Sequence, residues 1–554
     1  MNKKFIITTV FVICISNMYS QSDVDIAQKY NIYRQRILNE WIIVSPNVEQ
    51  FGTNIPALDR QINNDGKITW VSWSDGNANY NHWLGILATE YRLLKNNGQD
   101  YSETLKMLLY TMFSLERLDL YSEYNLRKYF GLEAEIKYPE DINGFMLRDD
   151  VTLGFWKQYH NHFNCEYGKI IGTKDGTNTY LSVFRKGKIP KQGMSQDNIS
   201  YLLQSLALVK QLVDDENISN IKLIFENPYI PDYLKSKGIW VGDTVYFGNW
   251  VADIADRLLK HISHKYPERK ITLKPTNNFR ARPAKVKFGG LISSYWYIMN
   301  PVTNDLVAEG NGEDMGVWIN SYGFAEAAKF ITGKNIYHTD GSDRGLSKYI
   351  FKTFLFKNMR FLRFGGIPVS DDLDDYMTRA LATVGDINWN ENSYELFYLM
   401  NDKREKWTYE HNPLILYILH KEKYSKKYNP EIKLYNEDKS YFEKLLGFAP
   451  VSSPSSDTRR EEYSKYWSTS SLLNWPNYKG AEKLSPVWEY AGLDYMFLYN
   501  LYRLVFEPEN YTIDNNLTTK STQKSNKNSL ENYTVPDLKE TDLQYFYMPP
   551  KKEK

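Results

Sequence analysis

Apolar side chains recur every three to four positions along most of this 554-residue chain. That spacing is typical of helices that bury one face, whereas the alternation expected of strands is sparse. A chain of this length with little strand signal must build its core mainly by packing helix on helix. The apolar stripes that support this prediction begin near Tyr80, Leu105, Ile199, Phe247, Leu346, Leu373 and Trp488.

Short polar segments predict where some of these helices begin and turn. Ser195 precedes Gln196 in the manner of an N-cap. The sequence Lys95-Asn96-Asn97-Gly98 lies between two apolar stripes, and it predicts a tight loop that joins two helices into a hairpin. Because successive helix hairpins can close into a ring, we expect a mainly α fold. Its predicted architecture is an (α/α) toroid, a helical-hairpin barrel with short β insertions.

The first twenty residues have the order of regions found in a secretory signal peptide. Lys3-Lys4 gives a basic start, an apolar run extends from Phe5 to Ile15, and polar residues follow up to Ser20. The apolar run is about half as long as the ~20 residues that a membrane-spanning helix needs. We therefore expect cleavage before Gln21, export to the periplasm or the extracellular space, and no stable membrane insertion.

Charge and cysteine content limit what the mature chain can be. The 68 basic and 67 acidic side chains nearly cancel, so no global field favours nucleic acid as a partner. Cys165 is the only cysteine beyond the predicted signal, so the core, and not a disulfide, must hold the fold. We expect one toroid domain at 21–510 and a low-complexity, poorly ordered tail rich in Asn, Lys, Ser and Thr at 511–554.

The aromatic content of 15% bears on function. An AT-rich genome is one explanation for the 44 tyrosines, but it explains the 14 tryptophans less easily. Sugar binding is the alternative, because aromatic faces pack against the C–H surfaces of sugar rings and tyrosine adds a polar tip. The candidate substrate-binding residues are Trp73, Trp83, Trp156, Trp318, Arg148 and His160.

Three aspartates are candidates for acid–base chemistry. Asp149 and Asp150 are adjacent in a loop after a predicted helix hairpin, and Asp197 opens a predicted helix. Hydrolysis of a glycosidic bond needs one protonated carboxyl and one ionised carboxylate. The structural alternatives are an ion pair between Arg148 and the adjacent aspartates, and an Asp197 carboxylate that stabilises the first turn of its helix.

Motifs that could hold a metal ion are all incomplete. Asp75 to Asn79 starts like a calcium loop, but Tyr80 and Ile86 occupy positions that require glycine and glutamate. Asp371 to Asp375 has the spacing of a magnesium–diphosphate motif, although a capped helix start explains it better. His160 to His162 lacks the longer paired spacing of structural zinc ligands. We therefore expect no metal and no cofactor.

Three short motifs carry a resemblance to a known architecture. Trp73-Ser74-Asp75-Gly76 leads into a helix hairpin, Gly144 to Val151 follows it, and Gly193 to Asp197 caps the next helix. Over roughly residues 65–505 the arrangement resembles secreted (α/α)-toroid proteins of Bacteroidetes-like bacteria that act on glycans. That fold hosts hydrolases, lyases, epimerases and cyclases, so the resemblance implies an architecture and not one reaction.

The sequence leaves several functions open. A secreted carbohydrate-active enzyme comes first, with glycoside hydrolysis preferred to polysaccharide elimination. In a hydrolase, Asp149 or Asp150 would act with Asp197 as acid and base. In a lyase, His160 would abstract a proton and Arg148 would hold the uronate carboxylate. A non-catalytic helical glycan-binding protein and a structural envelope protein are the alternatives, and the oligomeric state stays open.

Overall fold

The described part of the protein is mainly helical, as the apolar spacing predicts. The structure is a computed structural model. The residues it describes are 26–41, 59–62, 68–72, 76–129, 132, 135–146, 196–221, 229–262, 296–299, 306–310, 324–325, 327–337 and 487–514, together with scattered residues between 414 and 449.

The helices are named here in chain order. They are α1 (Ile26–Arg36), which continues into a π-helical turn at Ile37–Trp41, α2 (Gly76–Asn96), α3 (Ser102–Tyr129), α4 (Gln196–Leu212), α5 (Tyr229–Ser236), α6 (Phe247–Ile262) and α7 (Leu493–Phe506). Among the described residues, no helix combines the length and the apolarity that crossing a bilayer requires.

Short antiparallel strands accompany the helices. The strands are β1 (Asp59–Ile62), β2 (Ile68–Ser72), β3 (Glu216–Asn217), β4 (Trp240–Val241), β5 (Thr244–Val245), β6 (Trp296–Met299), β7 (Leu306–Gly310) and β8 (Val487–Tyr490). They form three small sheets with the strand orders β2-β1-β8, β3-β5-β4 and β6-β7.

Helix α2 lies at the centre of the described helices. It packs against α3, α4 and α7, while α4 also packs against α6 and α7 against α1. Gly85 lets α7 approach closely, because a Cβ at this position would lie 2.7 Å from the ring of Phe497. The apolar stripe predicted for α2 is buried at Trp83, Leu84, Leu87, Tyr91 and Leu94.

The predicted hairpin between the first two long helices is confirmed. Helix α2 ends at Asn96 and α3 begins at Ser102. Gly98 takes a left-handed conformation with φ +63°, which a glycine after a helix adopts without steric cost. The Gln99 N–H then donates to the Leu94 carbonyl at 3.0 Å and closes the turn. The predicted start of α4 at Gln196, directly after Ser195, is confirmed as well.

The two ends of the described chain lie together. Strand β8 pairs with β1, and α7 packs against both α1 and α2. The prediction of one helix from Trp488 to Val505 is wrong at its start, since residues 487–490 form β8. Gly492, with φ +76°, separates this strand from α7 and turns the chain between them.

Residues Tyr511 to Asp514, at the start of the predicted tail, pack on the helices. The Tyr511 side chain is 1% exposed, and its hydroxyl donates to Asn500 Oδ1 at 2.9 Å. The Asp514 N–H donates to Asn31 Oδ1 at 3.1 Å. The predicted signal peptide and residues 515–554 lie outside the described residues.

We predict that Tyr511→Ala lowers the free energy of unfolding by about 3–5 kcal/mol, because it removes a buried ring. Tyr511→Phe keeps the ring but leaves the buried Asn500 carbonyl with one donor fewer, which costs about 1–3 kcal/mol. Chemical denaturation measures both values, with Ile336→Ala as the control because Ile336 is 49% exposed. Equal stability of Tyr511→Ala and the control would contradict the packing of this segment.

Candidate functional site

Three acidic side chains, Glu116, Asp119 and Glu123, lie on the buried face of α3, and we call them the acidic row. Their spacing of three and four residues places them on one side of the helix. Their exposed fractions are 0%, 0% and 3%, respectively. Side chains and backbone groups from α6 and from residues 135–146 (segment 135–146) bind them. The row is therefore an interior feature that joins three parts of the fold.

Arg257 of α6 is the cation of this cluster. Its Nη2 donates to both carboxylate oxygens of Glu116 at 2.8 Å, its Nη1 donates to Asp119, and its Nε donates to Asp253 at 3.0 Å. The indole N–H of Trp250 donates to Glu116 at 2.8 Å. One guanidinium thus serves three carboxyl groups, and the Nζ of Lys237 lies 3.5 Å from Asp253 as a second cation. Three carboxylates would still exceed these two positive charges if all three were ionised.

The pKa directions agree with that excess of acid. Burial raises the pKa of Glu116 to about 7, with Arg257 opposing the shift and Asp253 and Asp119 adding to it. Burial also raises the pKa of Asp119. Burial would lower the pKa of Arg257, but Glu116 and Asp119 outweigh that effect and raise it. Arg257 therefore stays charged, while Glu116 and Asp119 bind protons more readily than the same acids in water.

Asp119 also anchors segment 135–146. It accepts hydrogen bonds from the backbone N–H groups of Asn143, at 3.0 Å, and Gly144, at 2.9 and 3.0 Å. Gly144 has φ +89°, and a Cβ at this position would lie 2.4 Å from the Arg257 carbonyl oxygen. Only glycine fits both the backbone conformation and the close approach to α6.

Glu123 differs from the other two members of the acidic row in its partners. The side-chain amide of Asn143 donates to its Oε1 at 2.6 Å, and Ser122 Oγ lies 2.8 Å from its Oε2. No described lysine or arginine forms an ion pair with Glu123. Burial raises its pKa to about 8, and the charge of Asp119 adds to the shift. Glu123 is therefore mainly protonated at neutral pH.

The Ser122 hydroxyl connects Glu123 with segment 135–146. Its Oγ lies 2.5 Å from the Phe145 carbonyl oxygen as well as 2.8 Å from Glu123 Oε2. A hydroxyl has one proton to donate and can accept another. When Glu123 is protonated, the carboxyl can donate to Ser122, which then donates to Phe145. Ionisation removes the carboxyl proton, and the single Ser122 proton then faces three acceptors, since the Asp119 carbonyl oxygen also lies 2.9 Å from Ser122 Oγ.

A second ion pair fixes the beginning of segment 135–146. Arg127 donates to both carboxylate oxygens of Asp141, at 3.1 and 2.5 Å, and to the Glu135 carbonyl at 2.6 Å. The described part of the segment ends at Met146, which is buried.

Two of the residues predicted from sequence as site residues fall within the described ranges. Trp83 is 1% exposed, so in this structure its indole belongs to the helix packing around α2. Asp197 is the second residue of α4, at the positive end of the helix dipole. The others lie outside the described residues: Trp73, Arg148, Asp149, Asp150, Trp156, His160 and Trp318.

The described residues include no group of three or more His, Cys, Asp or Glu side chains that could hold a metal ion. The expected absence of a metal stays a prediction.

The acidic row was missed by the sequence reasoning, although a signal for it exists. The predicted apolar stripe of α3 ends at Leu115, but positions 116, 119 and 123 continue the same helical spacing. Charged residues that occupy core positions must be paired or protonated, because burial of an isolated charge is very unfavourable. Acidic residues that continue the three-to-four-residue spacing of a leucine stripe therefore indicate a buried acidic cluster.

Comparison with protein-family models, with curated proteins and with solved structures finds no match to this chain.

We predict that Gly144→Ala lowers the free energy of unfolding by about 3–5 kcal/mol, because it adds a backbone clash to an unfavourable φ. Gly98→Ala is the matched control, since Gly98 also has positive φ but nothing lies within 4 Å of an added Cβ. Its cost is about 1–2 kcal/mol, from backbone strain alone. Equal losses for the two variants in denaturant unfolding would disprove the close contact at Gly144.

We predict that the free energy of unfolding decreases less with rising pH in Glu123→Gln than in the wild-type protein. The native pKa of about 8 exceeds the ordinary value of 4.5, so the folded state binds the extra proton between these values. The contribution of Glu123 is fully present below pH ~4.5 and falls by about 1.4 kcal/mol per pH unit up to pH ~8. The measurement is unfolding free energy against pH, and identical slopes for both proteins would contradict the assigned protonation.

Proposed function

We propose that this protein is a secreted carbohydrate-active enzyme that hydrolyses glycosidic bonds, with its active site where segment 135–146 continues toward Asp149 and Asp150. The observation that supports this best is Glu123, a buried carboxyl with a pKa near 8 that binds Asn143 of this segment. Glycoside hydrolysis needs a carboxyl that stays protonated at neutral pH next to one that is ionised.

Glu123 is the proposed general acid, which gives its proton to the leaving oxygen as the glycosidic bond breaks. Asn143 and Ser122 hold this carboxyl in one orientation. Asp149 or Asp150 is the proposed partner that activates water or attacks the sugar carbon. Asp197 suits the ionised role too, because the N-terminus of α4 favours negative charge.

Contact between the first and last described elements supports the toroid part of the proposal. In a ring of helix hairpins, the last helix must pack against the first ones. Helix α7 packs against α1 and α2, and β8 pairs with β1 beside them. We propose that the remaining hairpins complete an (α/α) toroid whose helix ends surround the active site, and that the protein reaches the periplasm or the extracellular space through its signal peptide.

We predict that the mature protein releases reducing ends from at least one member of a panel of polysaccharides. Glu123→Gln should lower turnover by roughly 10²–10⁴-fold, the usual contribution of acid–base assistance. One of the two variants Asp149→Asn and Asp150→Asn should lower turnover by a similar factor. Glu140→Gln is the matched control, because Glu140 is an exposed acid on the same segment. Reducing-end assays and unsaturated-uronate absorbance, read in parallel, distinguish hydrolysis from elimination.

Other outcomes select the alternative functions. Unsaturated products would identify a lyase and would direct attention to His160 and Arg148. Binding of a polysaccharide without any cleavage would identify a glycan-binding protein. Full turnover of Glu123→Gln would remove Glu123 from the mechanism, whatever the reaction is.

A further inference from the structure

Two stacked tyrosine rings lie at the surface beside the candidate site. The rings of Tyr138 and Tyr229 are 5.3 Å apart between centroids, with an interplanar angle of 22°. Tyr229 is the first residue of α5 and is 39% exposed, which is unusual for so large a side chain among the described residues. We call Tyr138, Tyr229 and the nearby Asp232 the tyrosine ledge.

The tyrosine ledge is connected to the acidic row through one buried ring. Tyr233 meets Tyr138 edge-on at 6.5 Å, and its hydroxyl donates to Asp253 at 2.8 Å. The guanidinium of Arg257 lies 5.4 Å from the centre of the Tyr233 ring. Arg257 is also the cation of the acidic row. The same residue therefore positions both Tyr233, which packs against the ledge, and the proposed active site.

The tyrosine ledge and the residue that binds Glu123 are also close in sequence. Tyr138 and Asn143, which binds Glu123, belong to the same segment and lie five residues apart. Five residues span at most roughly 18 Å, about the length of a short oligosaccharide. Arg127 and Asp119 fix this segment at both ends, so the spacing between the ledge and Glu123 is held by buried bonds.

The polar groups of the ledge favour a particular kind of sugar. The phenol of Tyr138 is a hydrogen-bond donor at neutral pH, as tyrosine ordinarily is, and burial and the negative charge of Asp232 raise its pKa further. Asp232 is an exposed carboxylate, which accepts hydrogen bonds from hydroxyl groups. A ring face, a donor and an acceptor together match the C–H face and the hydroxyls of a pyranose. A uronate would instead bring its own carboxylate toward Asp232, which is unfavourable, while the ammonium groups of Lys235 and Lys237 lie against the rings of Trp240 and Tyr233.

We infer that the tyrosine ledge is a subsite for neutral pyranose units of the glycan that the proposed active site cleaves. The inference rests on the proposed function and sharpens it, because elimination requires a uronate whereas hydrolysis does not. A neutral-sugar subsite therefore selects the hydrolase over the lyase.

Isothermal titration calorimetry with purified mature protein tests this assignment, using Glu123→Gln as the background so that no ligand is consumed. The probes are neutral hexasaccharides built from glucose, mannose or xylose, and oligogalacturonate of similar length. We expect at least one neutral probe to bind, with affinity about tenfold weaker in Tyr229→Ala and nearly unchanged in Tyr229→Phe. Val241→Thr is the control, since Val241 is 54% exposed and lies just beyond α5.

Asp232→Asn tests the charge argument separately. This variant should bind oligogalacturonate more tightly than the parent does, while it keeps its affinity for the neutral probe within a few-fold. Tighter binding of oligogalacturonate than of every neutral probe by the parent would overturn the inference. Unchanged affinity of Tyr229→Ala, or binding of no probe at all, would do so too. If binding depends on Tyr229 but the wild-type protein never cleaves, the subsite stands and the proposed hydrolysis fails.

Discussion

The buried guanidinium of Arg257 is the interaction on which the candidate site depends. It binds Glu116 and Asp119 of α3, and through Asp119 it fixes the backbone of Gly144. Removing a charge of this kind from water is expensive, and the charge-assisted hydrogen bonds to Glu116, Asp119 and Asp253 offset that cost only in one arrangement. Loss of Arg257 would leave acids buried without a cation. Since α6 also packs on α4, this single residue aligns α3, α6 and segment 135–146 with the core.

A second buried arginine, Arg34, forms a network with Glu90 that has no proposed role in catalysis. Arg34 of α1 donates through Nε to both oxygens of Glu90, at 3.1 and 3.0 Å, and Thr104 donates to the same carboxylate at 2.6 Å. Tyr30 donates to Glu90 as well, and Asn500 of α7 donates to the Tyr30 hydroxyl at 3.0 Å. This network joins α1, α2, α3 and α7. Its carboxylate meets a cation and several hydrogen-bond donors, so the buried charge of Arg34 is paired within the core.

The elements that could be predicted from sequence are those whose energetics are local. The stripes of α2, α4 and α6, the turn at Gly98 and the start of α4 all follow from helical spacing and from the chemistry of helix ends. Strand β8 could not be predicted, because its pairing with β1 joins residues more than 400 positions apart. Tyr511 could not be assigned to the core for the same reason, because its ring packs against Tyr30 of α1, which is also remote in sequence. The predicted aspartates were located by residue type alone, whereas the acidic row requires knowledge of which face of α3 is covered.

Glu90 and Glu123 are both buried glutamates, but their hydrogen-bond partners differ in a way that bears on the proposed function. At position 123 a glutamine could accept the Asn143 hydrogen bond through its carbonyl and donate to Ser122 through its amide, without any proton to bind or lose. For stability alone the amide is the better residue, because the contribution of the carboxyl to the free energy of unfolding decreases as the pH rises toward 8. At position 90 the same replacement would remove the negative charge that Arg34 requires. A carboxyl that its surroundings keep neutral, where an amide would serve the fold better, is the property expected of a group whose proton is used in chemistry.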